Sequence, residues 1–182
     1  MAKRFLLKKP DSKTVRKVFF YMLILSIAYL INRRLFLMGV FITITLPIKF
    51  LKTMVPIPIT PEPVVFFPIV MTLHWGIQYS FLYLLLTVII FDLIIGRFGD
   101  PTIVAFFLIL GVSSLGVPLS QIIPDTFVSG MVLSFIYMIV YILFRTRVLG
   151  IPIFDVLSPA ISCFIFNFLY LSFFSTLLNH IM

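Results

Sequence analysis

The chain has 182 residues, 62% of them apolar and 11% charged, with 22 Phe and a net charge of +8. A soluble domain carries about 45–50% apolar and about 25% charged residues, so the composition excludes a fold that covers itself with polar groups in water. Charge-free runs at 63–91, 101–124, 126–144 and 156–182 each reach the ~17–25 residues of a spanning helix. Their continuity is unlike the alternation of a membrane barrel. The expectation is an all-α, polytopic transmembrane helical bundle.

Seven of the fourteen Lys and Arg fall in MAKRFLLKKPDSKTVRK, residues 1–17. Beside an apolar run, such a segment marks the cytoplasmic side and meets anionic lipid; no nucleic-acid partner is called for. It also resembles a signal sequence, but no small-x-small cleavage site follows the apolar run 18–31, so it reads as retained. The expected organisation is a basic cytoplasmic segment, 1–17, and one transmembrane domain, 18–182, in the cell membrane.

Two readings of the next stretch stand. If 18–32 and 35–54 both span, there are seven helices, and twelve basic residues fall inside against two outside, as the positive-inside rule prefers. If 17–40 is one helix followed by a long dipping loop to residue 62, there are six. VPIPITPEPVVFFPIV (55–70) follows, with five prolines and the one Glu of the chain. Proline lacks an N–H and pushes its predecessor out of the helical region, so PIPITPEP reads as an ordered, polyproline-like loop. Thr60 or Glu62 can cap the helix opened by Pro63, and the loop suits either a lid over a cavity or a rigid corner.

The run from 63 to 96 is too long for one perpendicular helix. HWGIQ (74–78) breaks it into a hairpin, 63–75 and 78–96, with Gly76 at the turn. Three further helices are expected at about 101–120, 126–145 and 155–179. Asp100, Asp125 and Asp155 are placed as their N-caps, with Pro101 at the first helical position.

No enzyme motif survives. GVSSLG (111–116) lacks the spacing of a serine-nucleophile elbow and reads as small residues that let helices approach. Asp92 and Asp100 lie eight positions apart at one helix end, unsuited to a carboxylate dyad. His74, His180 and the lone Cys163 have no helix-spaced partners that would hold a metal, and no cofactor is called for. Asp92, deep in YLLLTVIIFDLIIGR, is a functional candidate, with an interfacial ion pair to Arg97 as the plainer alternative.

Polar stripes carry more. Gly130, Ser134, Tyr137 and Tyr141 share one face at helical spacing; Tyr79, Tyr83 and Thr87 share another, and Ala160, Cys163 and Asn167 a third. Asn167, a full amide within an apolar run, needs a partner inside the bundle. These stripes serve either as interhelical glue or as the walls of a cavity for a flat, partly polar molecule.

The order of features resembles the substrate-binding S components of energy-coupling-factor transporters. The resemblance rests on the proline loop leading into the hairpin, on Gly76, on Asp92-Leu-Ile-Ile-Gly96, and on Asn167-Phe-Leu-Tyr170 in the last helix. It implies a six-helix capture subunit for a vitamin-like molecule, taken from outside beneath the loop after the first helix. It also implies docking on a transmembrane coupling subunit driven by ATPases, through small residues of the first helix (here Ser26 and Ala28). Thr60, Glu62, Trp75, Tyr79, Tyr83, Tyr137, Tyr141 and Asn167 are then the expected ligand contacts. The proline-acid-hydrophobic hairpin followed by D-L-x-x-G is also similar to the rod-shape-determining membrane protein D family, which implies a non-catalytic scaffold whose interior is plugged by Phe.

Overall fold

A computed structural model of the chain describes residues 32–54 and 63–181. The basic segment 1–17, the run 18–31 with Ser26 and Ala28, and the strip 55–62 with Thr60 and Glu62 lie outside the described residues. The chain divides into two compact units, Met1–Leu37 and Met38–Met182. Of the first, only 32–37 is described: Asn32 Oδ1 accepts from the Leu35 backbone N–H at 3.1 Å, an N-cap that satisfies a free first-turn donor.

Six helices occupy the described residues: α1 (Arg33–Met54), α2 (Phe66–Trp75), α3 (Ile77–Ile94), α4 (Asp100–Ile122), α5 (Thr126–Arg147) and α6 (Ile153–Ile181). Five are long and apolar enough to cross a membrane; α2, at ten residues, is not. The chain is therefore all-helical where it is described, with the spans of a multi-pass membrane protein. Because residues 41–54 are helical, the reading in which 17–40 is a helix and a loop runs on to 62 does not hold over that stretch. Within the β-branched run Ile42–Thr45, Thr43 and Thr45 return their hydroxyls to the carbonyls one turn back, at 2.8 Å each.

The hairpin forms where expected. Gly76 takes φ +98° between α2 and α3, a backbone that L side chains rarely adopt, and its N–H closes the turn on the Met71 carbonyl at 3.1 Å. Below the turn, Ser80 Oγ donates to the Pro68 carbonyl at 2.6 Å and takes the Thr72 hydroxyl at 2.6 Å. Both hydroxyls are buried, and each has a partner.

Of the three expected aspartate caps, one is a cap. Asp125 accepts from the Val128 N–H at 2.8 Å. Asp100 instead opens α4 behind an extended Gly99, without a side-chain cap bond, and Asp155 sits in the first turn of α6. Both still lie where a helix dipole favours an anion.

Helices α5 and α6 pack antiparallel along the small-residue stripes. A Cβ on Gly130 would lie 2.7 Å from Leu171 Cδ2, so the glycine admits that leucine. One turn further along α5, Ser134 meets Asn167 of α6, whose amide donates to Ser134 Oγ at 3.3 Å. Ala160, Cys163 and Asn167 are all buried. Gly116, the last residue of GVSSLG, would bring a Cβ within 3.3 Å of Leu133 and Thr72 side chains, which is the close approach that small residues permit.

The interior around α2 is aromatic. Phe41 of α1 stacks on Phe67 at 4.2 Å between centroids and lies 6.2 Å from Trp75. Phe66 packs against Tyr170 at 5.4 Å, and Tyr83 meets the Phe67 ring edge-on at 6.0 Å. Such geometries add to the area each ring buries.

Candidate functional site

A cavity of about 420 Å³ lies where α1, α3 and α5 end and α4 and α6 begin. Its polar lining comes from Lys49 and Lys52 of α1, Asp92 of α3, Thr102 of α4, and Tyr137, Tyr141 and Arg145 of α5. Val64, Val88, Ile109 and Cys163 supply apolar wall. Lys49, Lys52, Asp92 and Arg145 are the charged residues of this lining. Each arrives at the same level because alternating helix directions put the C-terminal turns of α1, α3 and α5 together.

Asp92 does not pair with Arg97, as the plainer reading of the sequence has it. Its Oδ1 lies 2.7 Å from Lys49 Nζ, with the two side chains 13% and 14% exposed. Its Oδ2 accepts from Thr102 Oγ1 at 2.9 Å. Arg97 meets Asp92 through the backbone, its N–H donating to the Asp92 carbonyl at 2.8 Å. The Lys49 ammonium also donates to the Thr87 carbonyl at 2.9 Å and lies 5.1 Å from the Phe91 ring centroid.

The reason lies in the backbone of α3. Residues Leu85–Ile90 form a π-helical segment, in which bonds run five residues back; the Phe91 N–H reaches the Leu86 carbonyl. Thr45 and Lys49 are one turn apart on α1. Thr45 Oγ1 bonds to Tyr83 Oη, while Lys49 bonds Thr87 and Asp92. Tyr83 and Asp92 are nine residues apart. At about 100° per residue an unbroken α-helix would put them on opposite faces, but one five-residue step brings Tyr83, Thr87 and Asp92 onto the face that meets α1. Segments of this kind frequently mark functional sites.

Arg145 is the second polar centre. Its Nε and Nη2 donate to Tyr141 Oη at 3.2 and 3.1 Å, and the guanidinium lies 5.2 Å from the Tyr141 ring centroid. Among the described residues no carboxylate lies within ion-pair distance of it. Tyr137 stands beside Tyr141, with ring centroids 5.8 Å apart.

The expected ligand contacts therefore separate. Tyr137 and Tyr141 line the cavity. Trp75, Tyr79, Tyr83 and Asn167 do not. Trp75 is buried against Phe41 and meets Tyr79 edge-on at 5.7 Å; Tyr83 is sealed in the core with Thr45. Asn167 spends its amide on Ser134, while its Oδ1, buried, has no hydrogen-bond partner. His74 Nε2 and Thr126 Oγ1 lie 3.1 Å apart. The sequence reading did not name Lys49, Lys52 or Arg145 as site residues. The signal for them was present, as cations at the ends of apolar runs, but charge at a membrane boundary reads first as an orientation mark.

Comparisons with family models, with curated proteins and with solved structures return no match to this chain.

Proposed function

We propose that the chain is a multi-pass protein of the cell membrane, N-terminus cytoplasmic, that binds a small, partly polar molecule in the cavity at its basic end. The observation that carries this reading is the cavity itself. At about 420 Å³ it falls within the ~300–1,000 Å³ of small-molecule sites, and it joins apolar walls to a few convergent polar groups. Lys52 and Val64, the lining residues nearest in sequence to the 55–62 strip on either side, both belong to it. That placement suits the capture role implied by the resemblance to importer S components, in which the protein docks on a coupling subunit with ATPase partners.

Native mass spectrometry of the protein extracted gently from its own membrane tests this. A stoichiometric small-molecule adduct, or co-extracted ATPase subunits, supports capture. A ligand-free chain with structural membrane partners overturns it. That second outcome belongs to the scaffold reading, which the aromatic filling around Phe41, Phe67 and Trp75 favours over the rest of the interior.

Sidedness refines the role. Capture from outside requires the cavity end to face out, whereas the positive-inside rule turns Lys49, Lys52, Arg97, Arg145 and Arg147 to the cytoplasm. With Cys163 replaced by Ser, a cysteine at Phe98, exposed between α3 and α4, labelled by a membrane-impermeant reagent in intact cells, supports import. Labelling only after lysis places ligand holding on the cytoplasmic face.

A further inference from the structure

Resting on that binding reading, we infer that the ligand of this cavity is an amphipathic anion: a carboxylate or phosphate head held by Arg145, with a compact apolar body against Val64, Val88 and Ile109. Three features of the lining lead there.

The charges are unequal. Asp92, the one carboxylate in the lining, is already committed to Lys49 at 2.7 Å and Thr102 at 2.9 Å, so it does not compensate the rest. Arg145 is half-buried, yet two of its nitrogens go to a neutral phenol, Tyr141 Oη, and it has no ion-pair partner among the described residues. A partly buried guanidinium with no counter-charge beside it is available to an anion arriving in the cavity, for which it supplies charge-assisted donors.

The geometry selects the kind of anion. A guanidinium carries five donors in a rigid plane, and the Tyr141 contacts on Nε and Nη2 leave the edge formed by Nη1 and the second Nη2 donor. That edge suits the paired oxygens of a carboxylate or phosphate. Tyr141 holds the guanidinium at one angle, both by its hydroxyl and by its ring at 5.2 Å, which lowers the entropy lost on binding.

Away from the charged and phenolic side chains the wall is mainly apolar, with Val64, Val88 and Ile109, which suits an apolar body. A soluble organic acid or organic phosphate meets this description, and so does the phosphate of an anionic lipid headgroup. The chemistry at Arg145 is the same for both, and the experiment separates them.

Cys163, the single cysteine of the chain, lines the cavity and serves as the reporter. The full chain in phosphatidylcholine nanodiscs is exposed to a small thiol reagent, and modification is followed by intact mass. Benzoate, benzamide and benzamidine, nearly identical in shape and differing in charge, are the probes; direct binding of radiolabelled benzoate is measured in parallel in case the thiol reacts too slowly. We expect benzoate to protect Cys163 and the other two not to. Arg145→Gln should weaken benzoate by about tenfold or more, the scale of a lost charged hydrogen bond, and Arg145→Lys by less. Unchanged thermal stability of both variants shows that they are folded.

If benzoate has no effect but replacing phosphatidylcholine with phosphatidylglycerol protects Cys163, and Arg145→Gln abolishes that protection, the anion is a lipid headgroup and the inference stands. If all three probes protect equally, or Arg145→Gln changes nothing, the anion inference is overturned while small-molecule binding survives. If neither probe nor lipid protects and no benzoate binds, the inference is overturned, and the binding reading then depends on the mass-spectrometric adduct alone.

Discussion

Two regions of the Met38–Met182 unit use the same helices to opposite ends. Around α2 the space between helices is filled by rings: Phe66 and Phe67 are 1% and 4% exposed, and Tyr83 is fully enclosed. At the basic end the same α1, α3 and α5 diverge around about 420 Å³ and face it with cations and phenols. The difference shows that aromatic content alone does not decide between a plugged and a hollow interior. Phenylalanine closes the region around α2, whereas charged and phenolic side chains line the space left at the basic end.

Substitutions probe that contrast, beginning where the effect is greatest. Phe66→Ala removes a fully buried ring from the aromatic interior and should cost about 3–5 kcal/mol, read as a fall in the thermal or denaturant midpoint in detergent. Lys49→Met removes the counter-charge of Asp92 and the donor to the Thr87 carbonyl; the unpaired carboxylate should cost at least the about 1–3 kcal/mol of an unsatisfied buried acceptor. Adding Asp92→Asn should recover part of that loss, and a double-mutant cycle showing no coupling would separate the pair from the stability of α1 on α3. Asp125→Ala, remote from the cavity, should cost about 1 kcal/mol as the loss of a helix cap. Arg145→Gln should change stability by no more than about 0.5 kcal/mol while altering benzoate protection of Cys163. A large destabilisation there would make Arg145 part of the scaffold rather than of the cavity.

Local features were legible in the sequence. Gly76 between two apolar runs announced the hairpin, Asp125 before Thr126 announced a cap, and the 3.6-residue stripe from Gly130 to Tyr141 announced a face that serves as both glue and cavity wall, Gly130 and Ser134 meeting α6 and Tyr137 and Tyr141 lining the cavity. Asn167 was legible as a buried amide in need of a partner, and Ser134 was on the stripe that supplies it. What was not legible depends on pairing across the chain. Lys49 and Asp92 are 43 positions apart, and their meeting requires a π segment within LLTVII that no local propensity distinguishes from regular helix. Trp75 and Tyr83 looked like ligand-stacking residues because the sequence does not reveal that Phe41 and Phe67 already occupy their faces. Asp100 and Asp155 matched the cap pattern but stand one or more positions inside their helices, a difference of register within the usual uncertainty of a helix start.

The π segment of α3 also governs how this chain tolerates changes of length. It stores one surplus residue inside a membrane-crossing element, so deleting one residue from Leu85 to Ile90 would leave a regular helix of ordinary spanning length. In that helix Asp92 would follow Tyr83 by eight residues rather than nine, a spacing that at about 100° per residue returns to nearly the same face, so the carboxylate would stay turned toward Lys49. A deletion within an unbroken helix such as α5 has no such reserve, and everything beyond it turns by about 100°. Deletions in Leu85–Ile90 are thus absorbed as a change of helix type, and one here would do less harm to the pairing of α3 with α1 than a deletion in the regular turns on either side.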